Sequence, residues 1–425
     1  QARSALTLAS GEALRVYPVW PNLVRTASTP RSGIEGRLVW AGRASLPEVA
    51  GKSLQGAIVM VDFNCGFQWV GLVDLGAAAV LFLEPPEIMR GESENKYLSL
   101  PANIPRFWVP RADAERLRGL EGTTARLDAQ VVWERRVGRN IVGVLRGTGK
   151  ATDSDPVVIT AQYDSVSVVP DLAPGGDQAC GAAAALELIR VLKRHPLKKD
   201  TLFVLTSAHC QNLKGWGEFL DRHWIRLEKK KKDPDRIKPA FAVDLDLTTR
   251  TRRLAVFFKG HRLDQNEGPT RRVYSTFGRN HAQAGAAVAE ALGYGKTFMA
   301  DAVNAVSGRT WDSYIPGPFA LAQELTMNAG LYGIAYATPD DERVWVDTPH
   351  DSPVRMDFES LTRQVRVLAC VLPNQLNVGA AFSSSNVVNY WTTLKGRVVE
   401  WVHRESFLPD KSLNGAIVWS HHWWP

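Results

Sequence analysis

The segment PVVITAQYDSVSVVPDLAPGGDQACGAAAALELIRVLKRH, residues 156–195, predicts the fold class of this 425-residue chain. It opens with an apolar run that ends on polar side chains, as expected of a buried strand. A glycine-rich loop follows. Residues 182–195 then place apolar side chains at the i, i+3, i+4 and i+7 spacing of an amphipathic helix. Strand, loop and helix in this order form the repeating unit of a parallel α/β sheet.

Further strands and helices extend this unit on both sides. Residues 140–147 predict a strand before it, and residues 201–208 and 240–247 predict strands after it. Residues 358–376 have the periodicity of a final helix. We therefore expect an α/β domain over residues 131–382, with a mixed, mostly parallel sheet sandwiched between helices.

The chain on either side of this domain has a different texture. In residues 1–130, the apolar runs 56–63 and 77–84 predict two strands joined by a short helix, so a smaller β-rich domain is expected. Residues 383–425 contain short β-like runs broken by proline, aspartate and glycine, which predicts the start of a C-terminal β module. Three tryptophans lie near the end of this module: Trp419, Trp423 and Trp424. They are consistent either with a packed core or with a protein interface.

Composition and charge argue against several classes of protein. The hydrophobic fraction of 45% is that of a globular chain, and no apolar run approaches the roughly 18 residues that cross a membrane. Part of the formal net charge of +7 comes from the run LEKKKKDPDRIK at residues 227–238. That run has no interleaved aromatic residues, so we expect a solvated loop and no nucleic-acid site. The first residue, Gln1, favours an exported chain, and the expected location is extracytoplasmic: periplasmic, cell-surface or secreted.

Polar side chains collect where the predicted strands of the central domain end. The clusters are AQYDS, GGDQACG, SAHCQNLKG and VDLDL, and a fifth, VDTPHDSP, precedes the last helix. Each cluster by itself is consistent with a capped turn. However, the carboxyl ends of strands in an open α/β sheet meet at one edge, so a shared site is expected there.

These motifs resemble peptidase family M28, a family of zinc aminopeptidases. The family signature runs His-x-Asp, Asp-Asn-x-Ser-Gly before a helix, Glu-Glu-x-Gly-Leu-x-Gly, Leu-Asp-Met and His-Thr-x-x-Asp-Thr, and the five clusters follow the same order over residues 131–382. Residues 1–130 resemble the protease-associated (PA) domain, a recognition or packing module, through GAIVMVDFNCGF, LGAAAVLFLE and IPRFWV. The resemblance implies the zinc-aminopeptidase fold with a PA-like domain beside it.

The resemblance implies a two-metal site, of which this sequence retains a part. Asp177 corresponds to the aspartate that bridges both metals, and Asp246 corresponds to a further ligand. Asp164 corresponds to the aspartate that orients the first histidine ligand. These three positions keep the residue type that the family has.

Four other positions depart from the family pattern. Gln162 and Asp347 replace the two histidine ligands, with His350 three residues out of register. His209 replaces the general-base glutamate, and Cys210 replaces the glutamate ligand that follows it. A glutamine amide is a weak ligand for zinc, although a thiolate is a good one. Two-metal hydrolysis also needs a base to take a proton from a bound water, and a histidine differs from a glutamate in reach and direction.

The converging carboxylates of Asp177, Asp246 and Asp347 would repel one another by roughly 4 kcal/mol per pair at about 4 Å and an effective dielectric near 20. A cation, a basic side chain or bound protons must offset this repulsion. We expect either no metal or a single divalent cation, and no two-zinc centre. Zinc would use Asp177, Cys210 and Asp347. Calcium would use the oxygen atoms of Gln162, Asp177 and Asp246.

Two functions are consistent with this sequence. The first is a pseudopeptidase that keeps the fold without catalysis and serves as an extracytoplasmic binding or structural subunit, with a protein partner or self-assembly. The alternative is an active metallo-aminopeptidase that hydrolyses peptides with an atypical ligand set. A peptide ligand is compatible with both. A nucleophilic role for Cys180 would need His209 as its base, and the alternative for Cys180 is packing in the turn.

Overall fold

A computed structural model of the chain contains two large sheets, one in the first third and one in the central part. It describes residues 4–22, 25–97, 102–149, 155–227, 230, 232–261, 268–306, 308–315, 317–318, 320–378, 397–400 and 411–413. Across these residues, no helix has the length and apolar character needed to span a membrane.

The first sheet has eight strands in the order β2-β1-β8-β4-β5-β6-β7-β3. The strands from β4 to β7 run parallel, and β8 pairs antiparallel with both β1 and β4. The strands are β1 Ser4–Leu8, β2 Ala13–Arg15, β3 Tyr17–Pro18, β4 Ile34–Trp40, β5 Ile58–Asp62, β6 Ala79–Leu83, β7 Arg106–Val109 and β8 Thr124–Ala129. The helices are α1 Leu46–Val49, α2 Gly71–Asp74, α3 Arg90–Glu94 and α4 Arg111–Arg118.

Buried apolar residues cover both faces of the first sheet and stabilise it. Alternate residues of β5 and β6 belong to two separate apolar clusters, one on each face of the sheet. The predicted strands and the short helix between them are confirmed, and the helical segment is followed by Gly76 at φ +78°, a conformation that favours glycine. Helix α4 begins at Arg111, with Pro110 in the N-cap position.

The second sheet has seven strands in the order β14-β13-β15-β12-β10-β11-β9. Its four inner strands, β15, β12, β10 and β11, run parallel to one another, while β9 and β13 pair antiparallel with their inner neighbours. The strands are β9 Ile141–Leu145, β10 Val157–Gln162, β11 Thr201–Thr206, β12 Phe241–Asp246, β13 Leu254–Phe257, β14 Met299–Asp301 and β15 Gly333–Ala337.

Helices cover both faces of this sheet. α5, α7 and α9 share one apolar cluster with it, and α6 and α8 share another on the opposite face. The helices are α5 Cys180–Arg194, α6 Lys214–Leu220, α7 Gly268–Ala291, α8 Ala322–Asn328 and α9 Phe358–Val378. The predicted α/β sandwich with a mixed, mostly parallel sheet is therefore confirmed.

Sequence periodicity did not reveal every element of the sheet. The segment GIAYA forms β15, a fully buried inner strand that was not among the strands predicted from the sequence. Its glycine and alanines carry little of the β-branched signal by which strands are recognised. The long helix expected over residues 182–195 is confirmed as α5, although it begins at Cys180.

Loops beside the strand ends of the second sheet pack against the first domain. Val168 and Val169, from the loop after β10, belong to an apolar cluster of the first domain. The Trp20 N–H donates to the Val168 carbonyl at 2.7 Å, and the Arg90 N–H donates to the Val344 carbonyl at 2.6 Å. The predicted domain boundary at residues 130 and 131 falls between β8 and β9.

Little of the predicted C-terminal extension lies within the described residues. They include β16 (Val399–Glu400) and β17 (Lys411–Ser412), which form an antiparallel pair. The tryptophans near the end of the chain, Trp419, Trp423 and Trp424, lie outside the described residues.

Candidate functional site

The candidate site lies at the carboxyl edge of the second sheet. β10 ends at Gln162 and β12 ends at Asp246, each with a partly exposed last residue. The turn after β11 carries His209 and Cys210, and Asp177 lies directly before α5. The sheet therefore brings the strand-end clusters to one edge, as the order of the elements predicts.

Asp177 is a buried carboxylate of the site. It is 2% exposed, and its Oδ1 accepts hydrogen bonds from both the backbone N–H and the hydroxyl of Thr249, each at 2.9 Å. The Asp177 N–H donates to Asp351 Oδ1 at 2.8 Å. Burial raises the pKa of Asp177, and the Thr249 hydrogen bonds oppose that rise. The same loss of water raises the pKa of Asp351 to about 6.

Asp246 is paired with a buried arginine. Arg343 Nη1 donates to Asp246 Oδ1 at 2.8 Å, and Arg343 Nη2 donates to the Asp246 carbonyl at 3.2 Å. The two side chains are 7% and 13% exposed. Burial lowers the pKa of Arg343, but the carboxylates of Asp246, Asp341 and Asp177 outweigh that effect and raise it. A fixed positive charge therefore lies among three carboxylates.

The backbone around Arg343 helps to hold the guanidinium in place. Arg343 has φ +50°, and its N–H donates to Asp341 Oδ1 at 2.8 Å. A left-handed conformation costs a non-glycine residue energy and persists where the surroundings impose it. The loop that follows β15 is therefore shaped to place this side chain on the end of β12.

A second arginine, from the first domain, reaches Asp347. Arg90 Nε lies 3.4 Å from Asp347 Oδ2 and 3.1 Å from Glu94 Oε1, and Arg90 Nη2 donates to the Pro318 carbonyl at 2.9 Å. Asp347 has φ +66°, and its carbonyl accepts the Val168 N–H at 2.8 Å. Asp347, which the resemblance places at the second histidine ligand, therefore lies where the two domains meet.

His209 lies in a strained turn beside the carboxylates. Its backbone N–H points at Asp164, with Oδ2 at 3.3 Å and Oδ1 at 3.4 Å. The turn contains left-handed residues at Ala208, Asn212 and Leu213. Burial lowers the pKa of the His209 imidazole, while Asp246 and Asp164 oppose that shift. This environment therefore favours the neutral imidazole, and Asp164 contacts the turn that carries it.

His350 contacts Glu84 of the first domain. Its Nε2 lies 2.9 Å from Glu84 Oε1, and Glu84 Oε2 accepts the Arg111 N–H at 2.9 Å. Burial raises the pKa of Glu84, but the hydrogen bonds from His350 and Arg111 outweigh it, so the pKa falls below its usual range. Cys180 is buried in the apolar cluster under α5, with its Sγ 3.6 Å from the Gly176 carbonyl, and burial raises the pKa of its thiol. Cys210 is exposed.

Comparison with known proteins settles the family. A family model described as peptidase family M28 matches residues 140–371, more than half of the chain. The chain belongs to peptidase family M28. Aminopeptidase YwaD of Bacillus subtilis (strain 168) is 29% identical over 130 residues, which are 31% of this chain. The chain spans 27% of the length of that curated relative.

Solved structures show the same fold over most of this M28 chain. BSAP, a zinc aminopeptidase from Bacillus subtilis, has a TM-score of 0.53 at 18% identity, and the match covers 91% of this chain and 85% of that one. Nicastrin, a component of γ-secretase, has a TM-score of 0.57 at 13% identity, with 87% and 74% covered. At these identities the likeness concerns the fold alone.

The side chains at the M28 metal positions do not fit a pair of zinc ions. In the described part of the chain, no group of three or more His, Cys, Asp and Glu side chains could hold a metal ion. Asp246 binds a guanidinium, and Asp347 contacts another one in a different part of the site. Gln162 offers a neutral amide where zinc prefers imidazole or thiolate. Electrostatic compensation therefore comes from arginine in this chain.

The residues that decide this chemistry were missed from the sequence. Arg343 stands four residues before Asp347 in DDERVWVD, and Arg90 belongs to the other domain. Nothing in their spacing marks either one as a partner of a strand-end carboxylate. Asp351 could have been found, because it occupies the aspartate position of the His-Thr-x-x-Asp-Thr motif. Thr249 lies two residues after VDLDL and carries no such signal.

Proposed function

We propose that this M28 protein is a pseudopeptidase that serves as a binding or structural subunit. The observation that carries the proposal is the buried guanidinium of Arg343, 2.8 Å from the carboxylate at the end of β12. The resemblance to M28 enzymes implies that this carboxylate corresponds to a metal ligand. Here its charge is already balanced by a side chain of the same polypeptide.

A divalent cation would compete with this arginine. A charge of +1 and a charge of +2 held about 4 Å apart repel by roughly 8 kcal/mol at an effective dielectric near 20. Arg343 cannot lose its proton to relieve this repulsion, since a guanidinium stays protonated in proteins and the surrounding carboxylates raise its pKa further. A metal would therefore have to displace the side chain from a buried position, where leaving a charge unpaired is itself costly.

The position of the general base supports the same proposal. Two-metal hydrolysis needs a group that accepts a proton from the attacking water. At that position the chain has His209, in a turn where its backbone N–H is directed at Asp164. Cys210, at the following ligand position, is exposed. The base and a metal donor are therefore both altered in the same turn.

The proposal also assigns the chain a role in a larger assembly. Nicastrin is a component of γ-secretase, so this fold occurs in a subunit of a larger complex as well as in zinc aminopeptidases. The PA-like domain adds a second module that contacts the former metal positions through Arg90. The extracytoplasmic location stays a prediction, which fractionation of cells that produce the native protein would test.

The test measures metal content and turnover on the same purified chain. We expect less than one zinc ion per ten chains after dialysis against micromolar zinc, and no hydrolysis of amino-acid anilides with or without added zinc. Asp177→Ala and Asp200→Ala are assayed in parallel. Asp200 is the control because it is a half-exposed aspartate directly before β11, at the end of that strand opposite the candidate site. Zinc-dependent turnover that disappears in Asp177→Ala but persists in Asp200→Ala would favour the active metallo-aminopeptidase instead.

A further inference from the structure

The outer edge of the second sheet is an apolar strand that is open to solvent. β9 pairs with β11 on one side, and in the described part of the chain no strand pairs with its other side. Ile141, Val142 and Val144 are 55%, 47% and 49% exposed. An open edge offers unpaired backbone N–H and carbonyl groups to another strand.

Nothing within β9 protects this edge. Sheet edges that remain single usually carry a lysine, a proline or a bulge that prevents further pairing. The strand reads Ile-Val-Gly-Val-Leu, without a charge or a proline, and all five residues keep a regular register with β11. The edge therefore has the features of a strand that pairs with another one.

The sequence of β9 is self-complementary about its centre. We propose that a second copy of this chain pairs antiparallel with β9 around a two-fold axis at Gly143. In this register Val142 faces the second copy's Val144, and Ile141 faces the second copy's Leu145. It is the register that pairs all five residues, and each cross-strand pair away from the axis joins two aliphatic side chains. A two-fold interface of this kind closes on itself, so the product is a dimer with a continuous sheet.

The extent of the contact fixes the expected strength of the dimer. Stable complexes bury about 1,200–2,000 Å² of surface, and a pair of five-residue strands buries less. The dimer should therefore form only at protein concentrations on the order of tens of micromolar. The inference does not rest on the loss of catalysis, since an active peptidase could dimerise in the same way.

Cysteine cross-linking tests the position of the axis. A Cβ added at Gly143 meets no atom within 4 Å, so Gly143→Cys fits the fold. Paired Cα atoms in an antiparallel ladder are about 4.5 or 5.5 Å apart, within the range that a disulfide spans. The control is Gly71→Cys, an equally open glycine in α2. Both are made with Cys210→Ser and Cys370→Ser, because those two cysteines are exposed.

We expect Gly143→Cys to form a disulfide dimer on the order of tenfold faster than Gly71→Cys at the same concentration. Equal rates would overturn the proposal. Sedimentation velocity of the unmodified chain should show its mass rising from monomer towards dimer with concentration. A chain that stays monomeric at every concentration up to about 200 µM would also overturn the proposal. That holds even if β9 of the monomer binds an added apolar peptide.

A charge exchange tests the register. Val142→Lys should raise the dimer dissociation constant on the order of tenfold, because each introduced lysine then faces a valine of the second copy. Adding Val144→Glu to the same chain should restore the dimer, since each introduced lysine would then face an introduced glutamate across the axis. Val142→Lys combined with Val144→Lys should not restore it. An association that Val142→Lys leaves unchanged would place the interface elsewhere and refute the proposal.

Discussion

Replacement of Arg343 by methionine would remove the charge that holds the candidate site together. The side chains of Arg343 and Asp246 are 7% and 13% exposed, so solvent screens their interaction little. Removing one partner of a buried ion pair costs about 3–5 kcal/mol, because the other charge stays buried without compensation. Domains of this size typically have about 5–15 kcal/mol of stability, so the variant would lose a large part of it.

Urea unfolding at pH 7 measures the loss. Arg146→Met is the matched control, because Arg146 also pairs with an aspartate, at 2.6 Å, but is 84% exposed. An exposed pair contributes about 0–1 kcal/mol, so the control should remain close to the unmodified chain. Arg343→Met combined with Asp246→Asn should recover part of the loss, since the second change removes the orphaned charge.

The result that would refute the reasoning is a small effect at Arg343. A loss below about 1 kcal/mol, equal to that of Arg146→Met, would mean that the pair does not balance the buried carboxylates. A double variant as unstable as the sum of the two single variants would also contradict it, because interacting residues must show a coupling free energy. The effect of added zinc should also be compared between the two chains. If zinc stabilises the unmodified chain more than it stabilises Arg343→Met, then Arg343 does not replace the metal ion as the charge that balances the carboxylates.

Two further predictions concern the rest of the domain and its interface. Burial lowers the pKa of His281 in the folded chain to about 4, so lowering the pH from 6.5 to about 4 protonates this imidazole mainly in the unfolded chain. The resulting loss of folding free energy should be roughly 3 kcal/mol, and it should be absent in His281→Gln. An unchanged pH dependence of the urea midpoint in that variant would contradict the assignment. Arg90→Met should weaken the contact between the two domains, because Arg90 contacts both Asp347 and the Pro318 carbonyl. We expect faster limited proteolysis in residues 130–140 than in the control Arg37→Met, which changes an exposed arginine. Equal cleavage rates in the two variants would argue against the interdomain contact.

Local patterns were enough to predict most of the central domain. Strand β12 and helix α5 carry strong signals, because long apolar runs and amphipathic periodicity are properties of a few adjacent residues. Strand β15 was missed for the same reason: its glycine and alanines give a weak local signal, and its neighbours in the sheet are what make it a strand. The edge strand β9 was predicted, but its exposure could not be, because exposure depends on where the sheet ends.

By itself, the sequence indicated the family, which the match to the M28 family model confirms, and it predicted which residues form the site, because the order of the strand-end motifs fixes which residues meet at one edge of a parallel sheet. It also showed that four of those positions depart from the metal-binding pattern that the resemblance implies, at Gln162, His209, Cys210 and Asp347. Only the tertiary structure decided what balances the remaining carboxylates. Arg343 reaches Asp246 across 97 residues of chain, and Arg90 reaches Asp347 from the other domain. A charge acts through space on whatever lies within a few ångströms, and no local pattern records which distant side chain the fold brings there.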